Sequence, residues 1–313
     1  MIKVGISQCL TGANVRYDGG HRNSKFCNRD LSDIFEFESF CPEVGIGLPI
    51  PRKTIRLVGD IDSPRAVYSD GGDEDFTLAL STYADQHLSQ LKALSGFVFC
   101  KASPSCGTNR VKVYADNGHS QSKGVGIFAA RVQKLLPGLP VEDDGRLNDP
   151  LLRDSFIKRV FIFNEWQKIV KEGLTKSALF KFHARHKYTL LAHCQKTYRA
   201  LGPQIAKVTN ENLDTMAKEY IVNLMSGLTR VATRKNNTNV LMHLQGYLKE
   251  HLDADDKAEL TQCILDYNKG IEPILSPLTL LKHHFKNNPN EYILDQSFLE
   301  PYPRQLAIRV ATH

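Results

Sequence analysis

Cysteines are the residues of this sequence with the clearest capacity for chemistry, and five of the seven lie within the first 106 positions. Cys100 and Cys106 share the stretch FCKASPSCG, which overlaps the end of the apolar run LSGFVF, and Cys9 and Cys41 lie in SQCLTG and FCPEVG. In a reducing compartment, clustered cysteines indicate metal binding or catalysis more often than disulfides. The first half of the chain is therefore where we expect chemistry.

Three interpretations of these cysteines are open from the residues alone. They are inert buried thiols, which are common in cytosolic proteins, ligands of a structural zinc ion, or ligands of an iron–sulfur cluster. Zinc sites usually draw on close CxxC pairs, and this sequence has none. Iron–sulfur clusters also take thiolate ligands, and these can come from well-separated loops, so the spacing favours a cluster over zinc.

The elements that would position these cysteines read as an α/β fold. IKVGISQC, SGFVFCK and VKVYAD have the apolar, β-branched character of strands, whereas DEDFTLALSTYADQHLSQLKAL and GVGIFAARVQKLLPG show helical spacing. Strands that alternate with helices predict a Rossmann-like layered sheet with loops at the strand ends. Cys9 and the Cys100–Cys106 loop then lie at the ends of two strands, where such sheets place their ligands.

The pattern changes near residue 150, after which helical spacing prevails and no strand is predicted. We predict an α/β domain over residues 1–160 and an all-α domain over residues 161–313. The second domain's predicted helices include Ser177–Leu201, Glu211–Met225, Asn239–Leu252, Asp255–Asn268 and Pro277–Lys286.

Charge is concentrated in the helical half of the chain. The net formal charge is +6, but residues 151–249 alone hold 17 Lys and Arg against 6 Asp and Glu. Such asymmetry suggests a polyanion held by one half and processed by the other, although a solvated basic face is the alternative. The sequence shows neither a signal-peptide pattern nor an apolar run of membrane-spanning length. We therefore expect a cytoplasmic protein with no membrane partner.

The most basic stretch with aromatic neighbours is KSALFKFHARHKYTLLAHCQKTYRALG. An apolar stripe at helical spacing includes His186, which predicts a core or boundary histidine and not a metal ligand. Lys181, Arg185 and Lys187 fall on other faces and are candidates for phosphate contacts with RNA. The single Trp166 is predicted to lie in the core.

Short motifs in the first half resemble the thiouracil desulfidase family. They are SQCLTGANVRYDGG, CPEVGIGLPIPR and KASPSCG, followed by GVGIFA and LPVEDDGRL, in order over about residues 1–160. In the second half, FHARHKYTLLAH with YRALG resembles the YbgA-type helical domain. Chains that join these two domains resemble bacterial desulfidases that remove sulfur from 4-thiouridine in tRNA.

The resemblance implies a 4Fe–4S cluster held by only three cysteines, with one open iron site. The positions that match are Cys9, Cys41 and Cys106. Cys100 and Cys27 fall where the motifs require no ligand, so we expect Cys100 to end a core strand. An open metal position is typical of catalytic sites, and a thiocarbonyl sulfur is soft enough to prefer iron to a hard cation.

Proton transfer is the second requirement of such a reaction. Glu43 is the leading candidate for general acid/base because it lies two residues after Cys41, and a surface carboxylate is the alternative. Ser103 is predicted to orient the water or the base, with Ser105 as the competing choice and Ser7 a distant third. Arg16 and Arg52 lie in nearby loops and are candidates for holding phosphate or pyrimidine.

The sequence as a whole thus predicts a cluster-dependent, non-redox, hydrolytic desulfidase that acts on 4-thiouridine in tRNA. One alternative is action on free thiouracil or thionucleosides, with the helical half used for dimerisation. An alternative of another class is a non-catalytic, nucleic-acid-binding sensor with a labile cluster. The basic second half favours RNA over a free base, and Glu43 favours an enzyme over a sensor.

Overall fold

The fold divides into two units, Met1–Asn148 and Asp149–His313, in a computed structural model that describes residues 1–303 apart from residues 73 and 116. The N-terminal unit contains, in chain order, β1 (Ile2–Ser7), β2 (Phe35–Phe40), α1 (Pro42–Gly45), β3 (Ile55–Val58), β4 (Arg65–Tyr68), α2 (Thr77–Gln86), α3 (Leu88–Lys92), β5 (Phe97–Phe99), β6 (Val111–Tyr114), β7 (Ser120–Gly124), α4 (Ile127–Leu135) and β8 (Val141–Asp143).

The main sheet of this unit has four parallel strands in the order β2-β1-β5-β8. Parallel strands covered on both faces are expected to be apolar along their whole length. The central strands agree, because every residue of β5 is buried and β1 is buried from Val4 to Ser7. The chain leaves β1 toward β2 on one side and reaches β5 on the other, so the strand order reverses between β1 and β5.

A second sheet has the order β4-β3-β6-β7 and is mixed, with β3 parallel to β6 and the other pairs antiparallel. Strands β3 and β6 alternate in burial, as expected for a sheet with one covered face. Leu57, Ala66, Val111 and Val113 point into an apolar cluster that also includes Leu80.

The predicted α/β architecture of the first half is confirmed. Strands β1, β5 and β6 and helix α4 lie where the pattern placed them. The predicted long helix in DEDFTLALSTYADQHLSQLKAL is two helices, α2 and α3, interrupted at His87. Strand β2 (FEFESF) is not among the predicted strands, although its apolar and polar residues alternate. The Rossmann-like layering stays a prediction.

In the described residues the C-terminal unit is helical, as predicted. Its elements are α5 (Pro150–Gly173), α6 (Lys176–His193), α7 (Gln195–Ala206), α8 (Leu213–Leu228), α9 (Arg234–Gly246), α10 (Ala254–Lys269), α11 (Leu275–Asn287) and α12 (Glu291–Leu294). The predicted helix Ser177–Leu201 is two helices, because the backbone is extended at Cys194. The division between the units precedes the predicted boundary at residue 160, since α5 is one continuous helix and belongs to the second unit.

Two apolar clusters form the interior of the C-terminal unit. One is centred on α9, α10 and α11, and the other joins α5, α6, α7 and α8. Trp166 lies in the second cluster, which confirms its predicted place in the core. In the part of the chain that the structure describes, no helix combines the length and the apolar character needed to cross a lipid bilayer.

Candidate active site

Three neighbouring parallel strands of the main sheet each lead into a cysteine at their carboxyl ends. Cys41 directly follows β2, Cys9 lies in the helical turn after β1, and Cys100 directly follows β5. Cys106 comes later in the loop after β5. Carboxyl ends of parallel strands meet at one edge of a sheet, and ligands bind where the strand order reverses. The reversal between β1 and β5 lies in the middle of this group of thiols.

The four thiols line one cavity of about 300 Å³. Glu43, Arg16 and Arg52 lie on its walls as well. The structure therefore brings together the three cysteines of the family-like motifs. Cys27 is buried elsewhere and does not line the cavity, and burial raises its pKa to about 11.

Cys100 lies in a different environment from the one we predicted. We expected it to pack as the end of a core strand, and it is indeed buried. However, it lines the cavity and its side chain is hydrogen-bonded to that of Cys9. The cause is the parallel pairing of β1 with β5, which carries the segments after both strands to the same edge. The contact between Cys9 and Cys100 can be predicted only once the register of β1 against β5 is known, because spacing along the chain does not reveal it.

The thiols that line the cavity perturb one another. The hydrogen bond with Cys100, together with burial, raises the pKa of Cys9. The same hydrogen bond lowers the pKa of Cys100, against the effect of burial. Burial raises the pKa of Cys106 well above its usual range, although Ser7 donates a hydrogen bond that acts in the other direction. Burial likewise raises the pKa of Cys41, against the N–H groups of Val44 and Glu43. Buried thiols of this kind stay protonated unless a cation compensates their charge.

This donor set fits an iron–sulfur cluster. Soft thiolates are the ligands that such clusters take, and metal binding displaces their protons. Within the described residues, no group of three or more His, Cys, Asp or Glu side chains is arranged to hold a metal ion. The fit thus rests on the thiols that face one cavity, and Cys9, Cys41, Cys100 and Cys106 are the residues there that could supply thiolate ligands.

Glu43 is fixed by contacts on both of its carboxylate oxygens. Arg52 donates from Nε and from a terminal nitrogen to Oε2, at 2.9 and 2.7 Å. Ser105 donates from its hydroxyl to Oε1 at 2.7 Å. The Arg52 side chain is only 4% exposed and also donates to the carbonyl of Val15. Glu43 is therefore a positioned carboxylate at the cavity wall and not a free surface residue.

The hydroxyl that contacts Glu43 belongs to Ser105, whereas Ser103 was the predicted partner. The Ser103 Oγ instead accepts hydrogen bonds from the backbone N–H groups of Ser105 and Cys106, at 3.2 and 3.1 Å. Ser103 thus closes the turn that presents Cys106. Ser7, the third choice, accepts a hydrogen bond from the N–H of Cys100 at 2.9 Å.

The N-terminus of α4 holds the loop that carries Ser105 and Cys106. The first N–H groups of a helix have no acceptor within the helix. Here the N–H groups of Ile127 and Ala129 donate to the carbonyls of Pro104 and Ser105, at 3.0 and 3.1 Å. Gly126 approaches so closely that a Cβ there would lie 2.5 Å from the carbonyl carbon of Ser105. Of the two glycines in KGVGIFAAR, Gly126 therefore serves the packing of this loop, whereas Gly124 ends β7 and packs against β6.

The two predicted ligand-binding arginines have different surroundings. Arg52 points inward to Glu43, so its guanidinium is already used by the protein. Arg16 lies on the cavity wall, where its Nε is 3.7 Å from Asp18 and its guanidinium 5.4 Å from the ring of Tyr17. Arg16 keeps the more accessible charge of the two.

Arg22 is a cavity residue that sequence reasoning missed. Its Nε lies 3.1 Å from an Asp144 carboxylate oxygen, and Asp144 also accepts from the N–H of Lys101. No local motif marks it, because the loop that carries it acquires its position only when the N–H of Arg22 donates to the carbonyl of Cys9.

The structure distinguishes among the three basic residues of α6 that we assigned to RNA. Arg185 is ion-paired with Glu165 and Asp295 and donates to the carbonyl of Asp295, so its guanidinium ties α6 to neighbouring segments. Lys187 lies over the rings of Tyr188 and Tyr292, at 5.2 and 4.9 Å.

Lys181 is exposed. His186 is buried and hydrogen-bonded to Ser297 at 2.9 Å, which confirms it as a core histidine.

Comparisons with known proteins divide the chain in the same place. Residues 4–144 match a family model described as 2-thiouracil desulfurase. Residues 187–303 match a family model described as a protein of unknown function, DUF1722.

Two curated relatives each correspond to about half of the chain. The uncharacterized protein YbgA of Escherichia coli (strain K12) is 36% identical over 157 residues, which cover 50% of this chain and 93% of YbgA. The uncharacterized protein YbbK of Bacillus subtilis (strain 168) is 30% identical over 155 residues, which cover 47% of this chain and 98% of YbbK.

One solved structure is similar over 47% of this chain and 94% of its own, at 28% identity and a TM-score of 0.38. It is described as the [4Fe-4S]-dependent thiouracil desulfidase TudS.

Proposed function

We propose that this chain is a desulfidase of 4-thiouridine in tRNA. Its N-terminal half belongs to the 2-thiouracil desulfurase family, and its C-terminal half belongs to the YbgA-like DUF1722 family. The proposed enzyme depends on a 4Fe–4S cluster and produces uridine and sulfide. The observation that carries the proposal is the cavity in which Cys9, Cys41 and Cys106 meet a positioned Glu43.

The overall reaction is hydrolysis of a thiocarbonyl. Water adds its oxygen to the ring carbon, the carbon–sulfur bond breaks, and the products are a carbonyl and hydrogen sulfide, so no oxidant or reductant is consumed. When bound by three thiolates, the cluster would supply an iron without a protein ligand, a soft Lewis acid for the thiocarbonyl sulfur.

Glu43 performs the proton transfers in this proposal. Its carboxylate takes a proton from the attacking water and returns one to the departing sulfur. Arg52 and Ser105 hold the carboxylate in one orientation, so it does not have to be ordered in the transition state. The spacing of two residues from Cys41 places this group beside the thiols, at the start of α1.

A polyanionic substrate is supported by the charge of the helical unit. Because Arg185 is used internally, the candidates for phosphate contacts are exposed side chains such as Lys181 on α6 and Lys196 and Arg199 on α7. Lys196 and Arg199 are three residues apart and so share one side of their helix. When exposed lysine and arginine side chains bind phosphates, the counterions condensed on the RNA are released, and this release favours binding.

Free thiouracil is the second candidate substrate, favoured by the description of the family that residues 4–144 match. It needs only the N-terminal cavity and leaves the basic helical unit without a role in substrate binding. A sensor without catalysis is disfavoured, because sensing alone would not need a carboxylate fixed by an arginine and a serine beside the thiols.

An anaerobic activity assay separates these functions. Cluster-loaded protein is incubated with tRNA that contains 4-thiouridine and, in parallel, with free thiouracil, and sulfide and nucleoside products are measured. We expect kcat/KM to be at least about 10-fold higher for the tRNA, with Glu43→Gln as the inactive control. Turnover of the free base alone would overturn the tRNA assignment, and no turnover of either would favour the sensor.

A further inference from the structure

The second sheet of the N-terminal unit has an outer face that the proposed chemistry does not use. Because side chains alternate along a strand, the residues between its core positions share this face. They are Arg56 and Val58 of β3, Arg65 and Val67 of β4, and Lys112 and Tyr114 of β6. The register places Val58 opposite both Arg65 and Tyr114, so these three lie side by side.

This face forms a concavity of about 390 Å³ in the described structure. Arg56, Arg65 and Tyr114 line it, and Gly72 and Gly118 bring backbone to its rim. The two charged residues among its described lining residues are both arginines. Concave surfaces with one sign of charge concentrate ligands of the opposite charge.

The two arginines are available in different ways. Arg65 is 63% exposed, and among the described residues its ion pair is a long one, 3.8 Å to Asp75. The guanidinium of Arg56 lies 5.3 Å from the ring centroid of Tyr114. Its Nε is buried and lacks a hydrogen-bond partner among the described residues. A buried donor without an acceptor is unfavourable, so rotation of the Arg56 side chain toward a bound oxygen would give this N–H an acceptor.

The concavity adjoins the thiol cavity along β3. Thr54 and Ile55 line the thiol cavity, and Arg56, the next residue, lines the concavity on the other face of the strand. Arginine beside an aromatic ring suits a nucleic-acid strand, because arginine binds phosphate and both groups stack on bases.

We propose that this concavity is a second nucleic-acid site, which binds phosphates and one stacked base of a single-stranded RNA segment next to the thiolated nucleotide. It rests on the proposed function for the identity of the RNA as substrate. Arg56 and Arg65 contact the phosphates, and Tyr114 together with Arg56 provides the stacking surface.

Binding of unmodified tRNA and of a short oligouridine tests this site without any reaction. We compare wild type with Arg56→Gln/Arg65→Gln by fluorescence anisotropy over a range of salt concentrations. Loss of two phosphate contacts should weaken binding about 10-fold at low salt and reduce the slope of log K against log salt by about 1.4. Tyr114→Ala should weaken binding at least about 5-fold with the slope unchanged, because stacking releases no counterions.

A matched control removes the same charge elsewhere in this unit. Arg29 and Arg131 are ion-paired with Asp30 and Asp85 away from the concavity, and Arg29→Gln/Arg131→Gln should leave the slope nearly unchanged. Thermal melts of each variant verify folding. Wild-type affinity and slope in the folded Arg56/Arg65 variant would overturn the site.

The outcome is separable from that of the proposed function. Wild-type protein that binds tRNA through this face but releases no sulfide from thiolated tRNA would overturn the function and leave the site. Turnover of thiolated tRNA with equal kcat/KM in wild type and the double variant would overturn the site and leave the function.

Discussion

Glu43 has neither oxygen free of an intramolecular partner, since Arg52 contacts one and Ser105 the other. A carboxylate held in this way has a fixed orientation. To accept a proton, one of its oxygens must first give up its hydrogen bond to Ser105 or Arg52. Ser105 is the weaker donor, because it is neutral whereas Arg52 is charged. We infer that Oε1, the oxygen that Ser105 contacts, is the one that moves protons.

At the residue scale, this assignment predicts an order of effects among three variants. Glu43→Gln should lower kcat by about 10²-fold or more with the cluster retained. Ser105→Ala should lower kcat more than Ser103→Ala does, which reverses the order expected from the sequence. Ser103→Ala should instead lower stability by about 1–3 kcal/mol, because two backbone N–H groups lose their acceptor. Turnover and thermal melts on the three variants decide this, and near-normal kcat in Glu43→Gln would remove the proposed proton carrier.

The cysteines give the second prediction at this scale. Cys9→Ala, Cys41→Ala and Cys106→Ala should each lose most iron and acid-labile sulfide after anaerobic reconstitution. Cys100→Ala should retain them, because the family-like motifs supply three ligands. Cys27→Ala is the control for loss of a buried thiol, since Cys27 is buried, like Cys100 and Cys106, but lies outside the cavity. A full complement of iron in Cys41→Ala would contradict the ligand set.

The identities of these residues could be predicted from the sequence, but most of their contacts could not. Motif positions pointed to Glu43 and the three cysteines, and the structure brings all four to one cavity. Spacing could not tell Ser105 from Ser103, because the two hydroxyls point differently only after Ser103 caps the turn. It also could not place Cys100 against Cys9, since that contact depends on strand pairing.

At the scale of elements, the loop with Cys106 is held by helix α4, which comes after β6 and β7 in the chain. The N-terminal N–H groups of α4 bind its carbonyls, and Gly126 allows the close approach. The helix itself was predictable from its apolar spacing. Its contact with the loop was not, because a glycine pair before a helix is also compatible with anion binding.

Gly126→Ala tests this packing. Its Cβ would meet backbone atoms of Ser105 and Cys106 at 2.5 to 2.7 Å, and backbone cannot move aside as a flexible side chain can. We expect a loss of about 1–3 kcal/mol of stability, in the range of overpacked sites, and weaker iron retention. Gly202→Ala is the comparison, because nothing lies within 4 Å of its Cβ position. Circular dichroism melts and iron content measure both effects, and wild-type values for both in Gly126→Ala would contradict the proposed packing.

A buried histidine at the end of α6 should make the stability of the C-terminal unit depend on pH. His193, its last residue, is buried, and burial lowers its pKa to about 4. The neutral ring is thus favoured in the folded state, while the unfolded chain binds a proton near pH 6.5. Stability should be full above about pH 6.5 and should fall as the pH is lowered toward 4, by on the order of 1–2 kcal/mol at pH 5 for this residue.

Trp166, the single tryptophan of the chain, lies in the core of the C-terminal unit and reports its urea unfolding by fluorescence. His193→Asn, which keeps a donor toward the carbonyl of Arg230, should show a smaller loss between pH 7 and pH 5 than wild type. His283→Asn is the control, because His283 is exposed on α11. An equal loss in wild type and His193→Asn would show that His193 is not responsible.

At the scale of the molecule, the thiol cavity and the excess of basic residues lie in different units. The thiol cavity is formed entirely by residues 1–148, while the basic stretch lies in the second unit. Composition alone predicted this separation, because net charge can be counted along the chain. It did not predict which cations stay exposed, and Arg185 proved to be internally paired.

Loss of basic side chains from the second unit should therefore weaken binding of tRNA but leave turnover of free thiouracil unchanged. Lys196→Gln/Arg199→Gln should weaken tRNA binding and reduce its salt slope by about 1.4, by loss of two phosphate contacts. The same variant should process free thiouracil as wild type does. Lys269→Gln/Lys286→Gln, exposed on α10 and α11, is the matched control. If both double variants bind tRNA with the wild-type slope, α7 is not part of the RNA surface.

The thiol cavity also sets an order of events during synthesis of the protein. Its walls come from segments after β2, β1 and β5, and these segments meet only when β5 has paired with β1. A ribosome must release residues through the Cys106 loop before the site exists. Nascent chains that stop before Phe97 therefore lack the cavity, and on the proposed function a cluster would be inserted only after the N-terminal sheet has folded.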